Sequence, residues 1–421
     1  MTTIEERGRL PVRGAYDVIV AGGGVAGVAA ALTARREGKR VLLLEKSTML
    51  GGLATLGLIN YFVPLCNGRG RRVIGGLCDE LLRLAIQYGY DTLPDEWRSG
   101  EPGPGAKTRY VTRFSPHIFA LSLTERIADE GVDLLFDTLA SRPVMAGGHC
   151  EGLIVENKSG RSFYAAGAVV DTTGDADVLA RAGVPTVLGR NYFTYISQAV
   201  SLESCRRAVE QGRIDRAVYW RQGGRATLYG QGQPADQPLI SGTEGEEISR
   251  FLVQNQRVLL EEIKGEDRWS RDLVTLPGMA QFRTTRRIDG DFTLSPSDAY
   301  RHFDDSVAAL CDFDRPDALY EAPLRCLVRS GFDNLVTAGR SASAVGYAWD
   351  VLRVIPPAIA TGQAAGMAAS LALESGRAVY ALDVPALQRR LTAVGLDVHF
   401  DDGLLPDGDA GQAATTDEVH L

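Results

Sequence analysis

The feature that most constrains this chain is a strand–helix–strand unit close to its N-terminus. Residues 17–21 form a short apolar run, as expected of a buried parallel strand, and residues 41–44 form a second such run. Between the two runs, residues 26–36 carry small and apolar side chains at helical spacing. This order predicts a βαβ unit of the kind that binds dinucleotides.

The turn of this unit carries the spacing G-x-G-x-x-G, with Gly22, Gly24 and Gly27 at its three glycine positions. Glycines there permit a tight turn, close approach of the backbone to a diphosphate, and close packing of helix on strand. The helix start at Ala26 would direct free N–H groups and a positive dipole end at the diphosphate. Glu45 ends the second strand and would accept hydrogen bonds from a ribose hydroxyl. The unit alone does not distinguish NAD from FAD.

Three further segments resemble known flavoproteins. A glycine pair follows the acidic residue in residues 51–55, GGLAT. Residues 169–177, VVDTTGDAD, are similar to the "ATGD" segment of many flavoproteins, and residues 334–340, NLVTAGR, precede a long small-residue helix that opens at residues 355–358. The chain therefore resembles the FAD-dependent oxidoreductases that group with fumarate-reductase and heterodisulfide-reductase flavoproteins, from about residue 16 to residue 373.

This resemblance implies an α/β fold with FAD as its cofactor. The expected architecture is a Rossmann-like FAD-binding domain with a parallel sheet and a β-meander, plus a second α+β domain that holds the substrate or caps the site. The resemblance implies that FAD is contacted by Gly22, Gly24, Ala26, Gly27, Glu45, Lys46, Gly51, Gly52, Leu53, Ala54, Val144, Thr173, Gly174, Asp175, Gly339, Arg340, Arg353 and Ile355.

The expected domain boundaries follow from the order of these segments. A flexible tail (1–15) precedes the first part of the FAD-binding domain (16–182), in which residues 57–115 partly cap the active site. The substrate domain spans 183–324, the FAD-binding domain resumes at 325–400, and 401–421 is expected to be a disordered tail because it is polar and rich in Gly, Asp and Thr.

Composition excludes several other classes of protein. The net charge of −8, from 45 basic and 53 acidic residues, argues against a nucleic-acid binder. No apolar run approaches the roughly 20 residues of a membrane span, and the first fifteen residues lack the apolar core of a signal peptide. None of the six cysteines forms a C-x-x-C pair, so no zinc or iron–sulfur site of the usual spacing is expected. We expect a cytoplasmic enzyme with a small-molecule substrate, no nucleic-acid or membrane partner, no bound metal, and a homodimer as an open alternative.

Four residues are candidates for catalysis. Arg353, just ahead of the helix that opens at residue 355, would add positive charge at the edge of the flavin that becomes negative on reduction. Arg286 suits a carboxylate or enolate of the substrate, although pairing with acidic residues across the domain interface is an equal alternative. Tyr347 and Asp350 lie between two FAD-contacting segments, where a loop facing the flavin could supply a base. None of the five histidines lies in a flavin motif, and His302 is the one that we single out for testing.

The resemblance implies an FAD-dependent dehydrogenase or oxidase that passes a hydride from a small organic substrate to flavin N5. Two alternatives stay open at this point. One is a flavin monooxygenase reduced by NAD(P)H, although no second dinucleotide fingerprint follows a strand in this chain. The other is an FAD electron-transfer subunit, which the lack of iron–sulfur cysteine spacing disfavours.

Overall fold

The structure is a computed structural model that describes residue 4 and residues 8–227 and 230–405. Its strands are β1 (Val12–Ala21), β2 (Val41–Leu44), β3 (Tyr61–Phe62), β4 (Thr112–Arg113), β5 (Asp133–Leu135), β6 (Leu139–Ala146), β7 (His149–Asn157), β8 (Gly160–Asp171), β9 (Thr186–Leu188), β10 (Ile196–Ser201), β11 (Val218–Gln222), β12 (Arg271–Thr275), β13 (Arg286–Ile288), β14 (Ser306–Cys311), β15 (Leu319–Pro323) and β16 (Leu335–Thr337). Its α-helices are α1 (Val25–Arg36), α2 (Leu77–Gln87), α3 (Pro116–Asp129), α4 (Asp177–Arg181), α5 (Leu202–Gln211), α6 (Gly245–Lys264), α7 (Tyr347–Arg353), α8 (Ile355–Ser375) and α9 (Val384–Ala393).

A seven-stranded mixed sheet organises the molecule. Strands β5, β2, β1 and β8 lie side by side in parallel. The other edge of β8 is shared, because its first half pairs antiparallel with β7 and its last three residues pair parallel with β16. The meander β6–β7–β8 thus extends a parallel nucleotide-binding sheet, which confirms the predicted α/β fold class.

The alternation of side chains along the central strands divides the core into two layers. Val18 and Val20 of β1 belong to the cluster that contains α1, α8 and the β14–β15 hairpin, whereas Ile19 and Ala21 belong to the opposite cluster, under the meander. All four side chains are completely buried. Both faces of β1 are therefore covered, as parallel sheets require.

Helices α1 and α8 cross at very short range on one face of this sheet. A Cβ atom built on Gly362 would overlap the carbonyl oxygen of Ala26, and one on Gly366 would overlap that of Ala30. Glycine at these two positions of α8 lets the backbone of one helix lie directly on the backbone of the other. The contact sets the N-termini of both helices beside each other at the same edge of the sheet.

A second unit, from β9 to β13, has its own small core. Its three-stranded sheet runs in the order β11–β10–β12, and its buried aromatic residues include Phe193, Phe251 and Phe282. The predicted boundary of this unit at residue 324 differs from the structure, because β14 and β15 pack in the core of the FAD-binding part of the chain. The sequence of the β14–β15 hairpin is apolar and contains no motif that indicates which domain the hairpin belongs to.

Other predicted boundaries also shift. The predicted N-terminal tail, residues 1–15, contains the start of β1, which pairs with β8 from Val12 onwards. The segment 347–350, predicted as a loop, is the first turn of α7. Of the predicted C-terminal tail, residues 402–404 form a single 3₁₀ turn, and residues 406–421 lie outside the described residues.

The α1–α8 contact predicts a large difference between two glycine-to-alanine changes. We expect Gly366→Ala to lower the free energy of unfolding by about 1–3 kcal/mol, since its methyl group meets the Ala30 carbonyl and forces the helices apart. Gly245→Ala is the control, because a Cβ there meets nothing within 4 Å in the first turn of α6. Urea unfolding of both variants measures the effect, and equal stabilities would contradict the predicted contact.

Candidate functional site: a dinucleotide cleft with two helix N-termini

A cleft of about 400 Å³ opens at the carboxyl ends of the parallel strands, where α1 and α8 begin. Ligands of open α/β sheets bind at this edge. Most of the predicted cofactor contacts line the cleft: Gly22, Gly24, Ala26, Glu45, Lys46, Gly51, Gly52, Leu53, Ala54, Thr173, Gly174, Gly339, Arg340, Arg353 and Ile355.

The three glycines of the first turn have three different roles. Gly22 has φ of +106°, and a Cβ there would lie 2.5 Å from the carbonyl oxygen of Thr172. Gly27 does not line the cleft, because a Cβ on it would overlap the carbonyl oxygen of Gly22 inside the turn. Gly24 is different, since its Cβ would meet nothing within 4 Å and its φ of −64° suits any residue. Gly24 therefore leaves open the space directly in front of the N-terminus of α1, where an anion would bind.

The second predicted glycine motif lies against the first one. Gly51 donates its N–H to the carbonyl oxygen of Gly23 at 2.8 Å, and a Cβ on Gly52 would lie 3.1 Å from Cα of Gly24. Both residues have positive φ, +102° for Gly51 and +55° for Gly52, a region that favours glycine. The glycine pair thus forms the wall of the cleft that faces the helix N-terminus.

The Glu45 carboxylate is buried and fixed by backbone donors. Its Oε2 accepts from Gly23 N–H and its Oε1 from Ser47 N–H, each at 2.7 Å. Each carboxylate oxygen has a second lone pair, so the group can still accept hydrogen bonds from ribose hydroxyls. The adjacent Lys46 is exposed at the same rim.

Arg340 joins three parts of the site. Its guanidinium donates to the carbonyl oxygen of Gly174 at 2.7 Å, to Asp175 Oδ1 at 2.7 Å and to the carbonyl oxygen of Phe282 at 2.5 Å. Asp175 does not line the cleft; its carboxylate instead holds Arg340 and accepts from Thr285 Oγ1 at 2.7 Å. The TGD segment, β16 and the second unit are therefore tied together by one buried cation.

A second arginine, Arg353, precedes the N-terminus of α8 and faces the cleft. Its guanidinium lies 2.6 Å from Asp350 Oδ1, and Arg283 contacts the same oxygen at 2.9 Å. Burial, together with the charge of Arg283, lowers the pKa of Arg353 to about 10, so it stays protonated at neutral pH. Although burial opposes this, the charges of Arg353 and Arg283 hold the pKa of Asp350 below its usual range. Asp350 Oδ1 thus contacts two guanidinium groups, and it holds that of Arg353 beside the helix N-terminus.

Three of the four predicted catalytic residues lie outside the lining of the cleft. Asp350 is occupied by its two arginines, as described above. Tyr347 donates its hydroxyl to Asp312 at 2.7 Å, and burial together with the charge of Asp312 raises its pKa far above the usual range. Arg286 donates to Asp177 at 2.6 Å and to the Asp175 carbonyl at 2.9 Å. Tyr347 and Asp350 therefore each have a side-chain partner away from the cleft, and for Arg286 the structure has the ion pair with Asp177.

Two other expectations about the cleft are also corrected. Val144 is in the middle of β6, opposite Gly152, and does not line the cleft; Thr138, Leu139 and Ala140 do so instead. None of the described residues 57–115, predicted to cap the site, lines it either. The cover comes from Gly278 and Met279 of the second unit, beside Leu56.

Sequence reasoning could have found some of these missed residues. Residues 138–140 follow β5, a parallel strand whose carboxyl end points to the same edge of the sheet, and Thr138 N–H donates to the Glu45 carbonyl at 3.0 Å. Gly278 and Met279 follow an edge strand of the second unit and carry no motif. A hydrogen bond from Gly278 N–H to the Leu56 carbonyl, 2.9 Å long, connects them to the segment beside the cleft.

Comparison with known proteins agrees with this geometry. The family described as FAD dependent oxidoreductase matches residues 17–237 and 233–391, which is most of the chain. The chain belongs to the FAD-dependent oxidoreductase family. Its cofactor is FAD, and the predicted assignment to this group of flavoproteins is confirmed.

Among solved structures, this flavoprotein is similar to a geranylgeranyl bacteriochlorophyll reductase-like protein from Thermoplasma acidophilum, at 15% identity and a TM-score of 0.43 over 90% of this chain and 83% of that one. It is similar to the FAD-dependent chondrochloren halogenase of a myxobacterium, at 14% identity and a TM-score of 0.46 over 95% and 88% of the two chains. It is also similar to p-nitrophenol 4-monooxygenase from Pseudomonas putida, at 15% identity and a TM-score of 0.41 over 91% and 89%. No curated protein matches it in sequence.

The cleft fits FAD by its own construction. Gly24 leaves room for a diphosphate in front of the free N–H groups of Val25 and Ala26, and Glu45 offers a carboxylate for ribose hydroxyls. At the other helix N-terminus, Arg353 and Ile355 complete the lining. Within the described ranges, no helix has the length and apolarity needed to cross a membrane.

The open space at Gly24 predicts that folding and cofactor binding can be separated. We expect Gly24→Val to leave the unfolding temperature of the apoprotein within about 2 °C, because a Cβ atom there meets no heavy atom within 4 Å. The same side chain would occupy the diphosphate space, so FAD affinity should fall at least about 100-fold, or roughly 2.7 kcal/mol. Fluorescence titration of apoprotein with FAD measures this loss.

Gly27→Ala is the matched comparison within the same motif. Its methyl group would overlap the Gly22 carbonyl oxygen, so this variant should lose stability before any ligand is added. Normal FAD binding by Gly24→Val would contradict the assignment of the diphosphate site.

Proposed function

We propose that this flavoprotein is a dehydrogenase or oxidase that removes a hydride from a small organic substrate, at a C–H bond next to oxygen, nitrogen or a carbonyl group. When bound, FAD supplies the two-electron acceptor for that hydride. The observation that carries the proposal is the positive wall of the cleft formed by Arg353 and the N-terminus of α8.

This wall favours reduction because it stabilises negative charge. Arg353 stays charged at neutral pH and lines the cleft, whereas its partner Asp350 does not line it. The twenty-one residues of α8 add a positive dipole end at the same place. A group that gains electrons against this wall is stabilised by charges that are already in position.

The second unit supplies part of the lining of the cleft. Gly278 and Met279 line it, and two hydrogen bonds hold their loop in place. Gly278 N–H donates to the Leu56 carbonyl at 2.9 Å, and Gln281 Nε2 donates to the Gly57 carbonyl at 2.7 Å. We expect this loop to shield the bound cofactor from water on that side, which would strengthen the electrostatic effect of Arg353.

The first experiment is to record the visible spectrum of the purified holoprotein under anaerobic conditions. For a substrate-reduced dehydrogenase or oxidase, NADH and NADPH should leave the flavin band unchanged over minutes. Alcohols, amines and hydroxy acids should then be screened for a compound that bleaches it. Rapid bleaching by NADPH alone would overturn the proposal and favour the NAD(P)H-reduced monooxygenase.

Replacement of Arg353 tests the positive wall directly. We expect Arg353→Met to lower the two-electron potential of the bound flavin by at least about 20 mV, since a charge near a helix terminus is worth about 1 kcal/mol. A sulfite adduct, which also places negative charge on the flavin, should weaken in parallel. Arg283 remains to balance Asp350 in this variant, so no buried carboxylate is left unpaired.

Arg325→Met is the control for charge removal, because Arg325 pairs with Asp305 and does not line the cleft. Its potential should equal that of the unmodified protein. If the flavin in Arg353→Met has the same two-electron potential as the flavin in this control, Arg353 does not stabilise the reduced flavin.

A further inference from the structure

A second group of chemically capable side chains lies away from the cleft, around β15. We call His302, Glu321 and His399 the histidine–glutamate cluster. Oε1 of Glu321 lies 2.6 Å from Nδ1 of His302 and 3.0 Å from Nδ1 of His399. One atom of each residue can be chosen so that all three lie within 4.8 Å of one another. None of the three residues lines the FAD cleft.

Glu321 is the unusual member of this cluster. Its side chain is completely buried, whereas those of His302 and His399 are 42% and 43% exposed. A buried carboxylate needs a compensating positive charge and hydrogen bonds. Among the described residues, the ion-pair partners of Glu321 are these two histidines, and Phe303 N–H donates to its other oxygen at 2.8 Å.

The surroundings of His302 match those of a metal-binding histidine. Its Nε2 lies 2.8 Å from Asp402 Oδ1, on the side of the ring opposite Glu321. Metal-ligating histidines almost always donate their second ring nitrogen to such a carboxylate, which fixes the ring and the tautomer. Asp402 would therefore leave the Nδ1 lone pair of His302 free for an ion, with Glu321 as the neighbouring ligand.

We propose that His302 Nδ1, His399 Nδ1 and Glu321 Oε1 bind one divalent metal ion of the zinc class. Two imidazoles and one carboxylate form a donor set that Zn²⁺ accepts, and water can complete the tetrahedron through the exposed side of the cluster. Ligand atoms about 2.0–2.2 Å from one ion lie roughly 3–3.5 Å apart, so the two distances from Glu321 Oε1 to the histidine nitrogens, 2.6 and 3.0 Å, need to lengthen by less than about 1 Å.

Charge and protons balance in this step. Without the ion, both ring nitrogens of His302 face carboxylate oxygens, so the ring carries two protons and a positive charge. The metal ion replaces the proton on Nδ1, and this proton passes to solvent. The proton on Nε2 remains bound there and is donated to Asp402. We therefore expect about one proton released for each ion bound.

The ion would link the segment that follows α9 to β15. His399 follows α9, and Asp402 belongs to the last turn that the structure describes, whereas Glu321 is on β15 in the main core. The expected absence of a metal rested on cysteine spacing, which a site with two histidines does not need. The proposal does not depend on the reaction proposed for the flavin.

The test uses tag-free holoprotein that has been treated with a chelator and then titrated with ZnCl₂ by calorimetry in two buffers of different ionisation enthalpy. We expect one ion per chain, about one proton released, and an unfolding temperature raised by several degrees. In the double variant His302→Ala/His399→Ala, binding should weaken at least 100-fold. The flavin absorbance verifies folding, and Glu321→Gln, which keeps the size of the side chain, should give the same loss.

The control is the double variant His117→Ala/His149→Ala, which removes two histidines from outside the cluster and should bind Zn²⁺ as the unmodified protein does. Co²⁺ gives a second measurement, since its visible bands report nitrogen and oxygen ligands directly. No binding by the unmodified protein, or equal binding by the two double variants, would overturn the proposal.

Discussion

The close crossing of α1 and α8 is the contact on which the rest of this flavoprotein depends. Gly362 and Gly366 allow the backbone of α8 to rest on Ala26 and Ala30 with no side chain in between. Because the two helices begin at the same edge of the sheet, this crossing places both of their N-termini on one cleft. A wider crossing would separate the diphosphate site from the positive wall at Arg353.

Charge is distributed unevenly around this cleft. On the nucleotide side, Glu45 is held by two backbone N–H groups, and no side-chain cation contacts it among the described residues. On the α8 side, arginine predominates, with Arg340 balanced by Asp175 while Arg353 and Arg283 share Asp350. The two sides of the cleft therefore present different electrostatic environments, each fixed by the fold before any ligand arrives.

Local sequence predicted the parts of the site that are built from backbone. The glycine turn, the glycine pair, Glu45 and the TGD segment are short motifs whose conformation is set within a few residues, and most of their residues line the cleft.

The roles of the other candidate residues depend on distant partners. Asp350 could not be recognised as a structural carboxylate without Arg283, sixty-seven residues away, and Tyr347 could not be excluded as a base without Asp312. Val144 was named from the family resemblance alone and does not line the cleft, whereas Thr138, Leu139 and Ala140 do.

The order of the segments in the chain also has a consequence for biosynthesis. The cleft is formed by residues 22–56 at one end of the chain and by residues 338–358 near the other, with β16 and α8 both in the later part. While the ribosome is still making the second unit, α1 has emerged but its alanine face has no partner. The complete cleft can therefore form only after residues 338–358 have been made, and holding the cofactor requires that these two distant parts of the chain have come together.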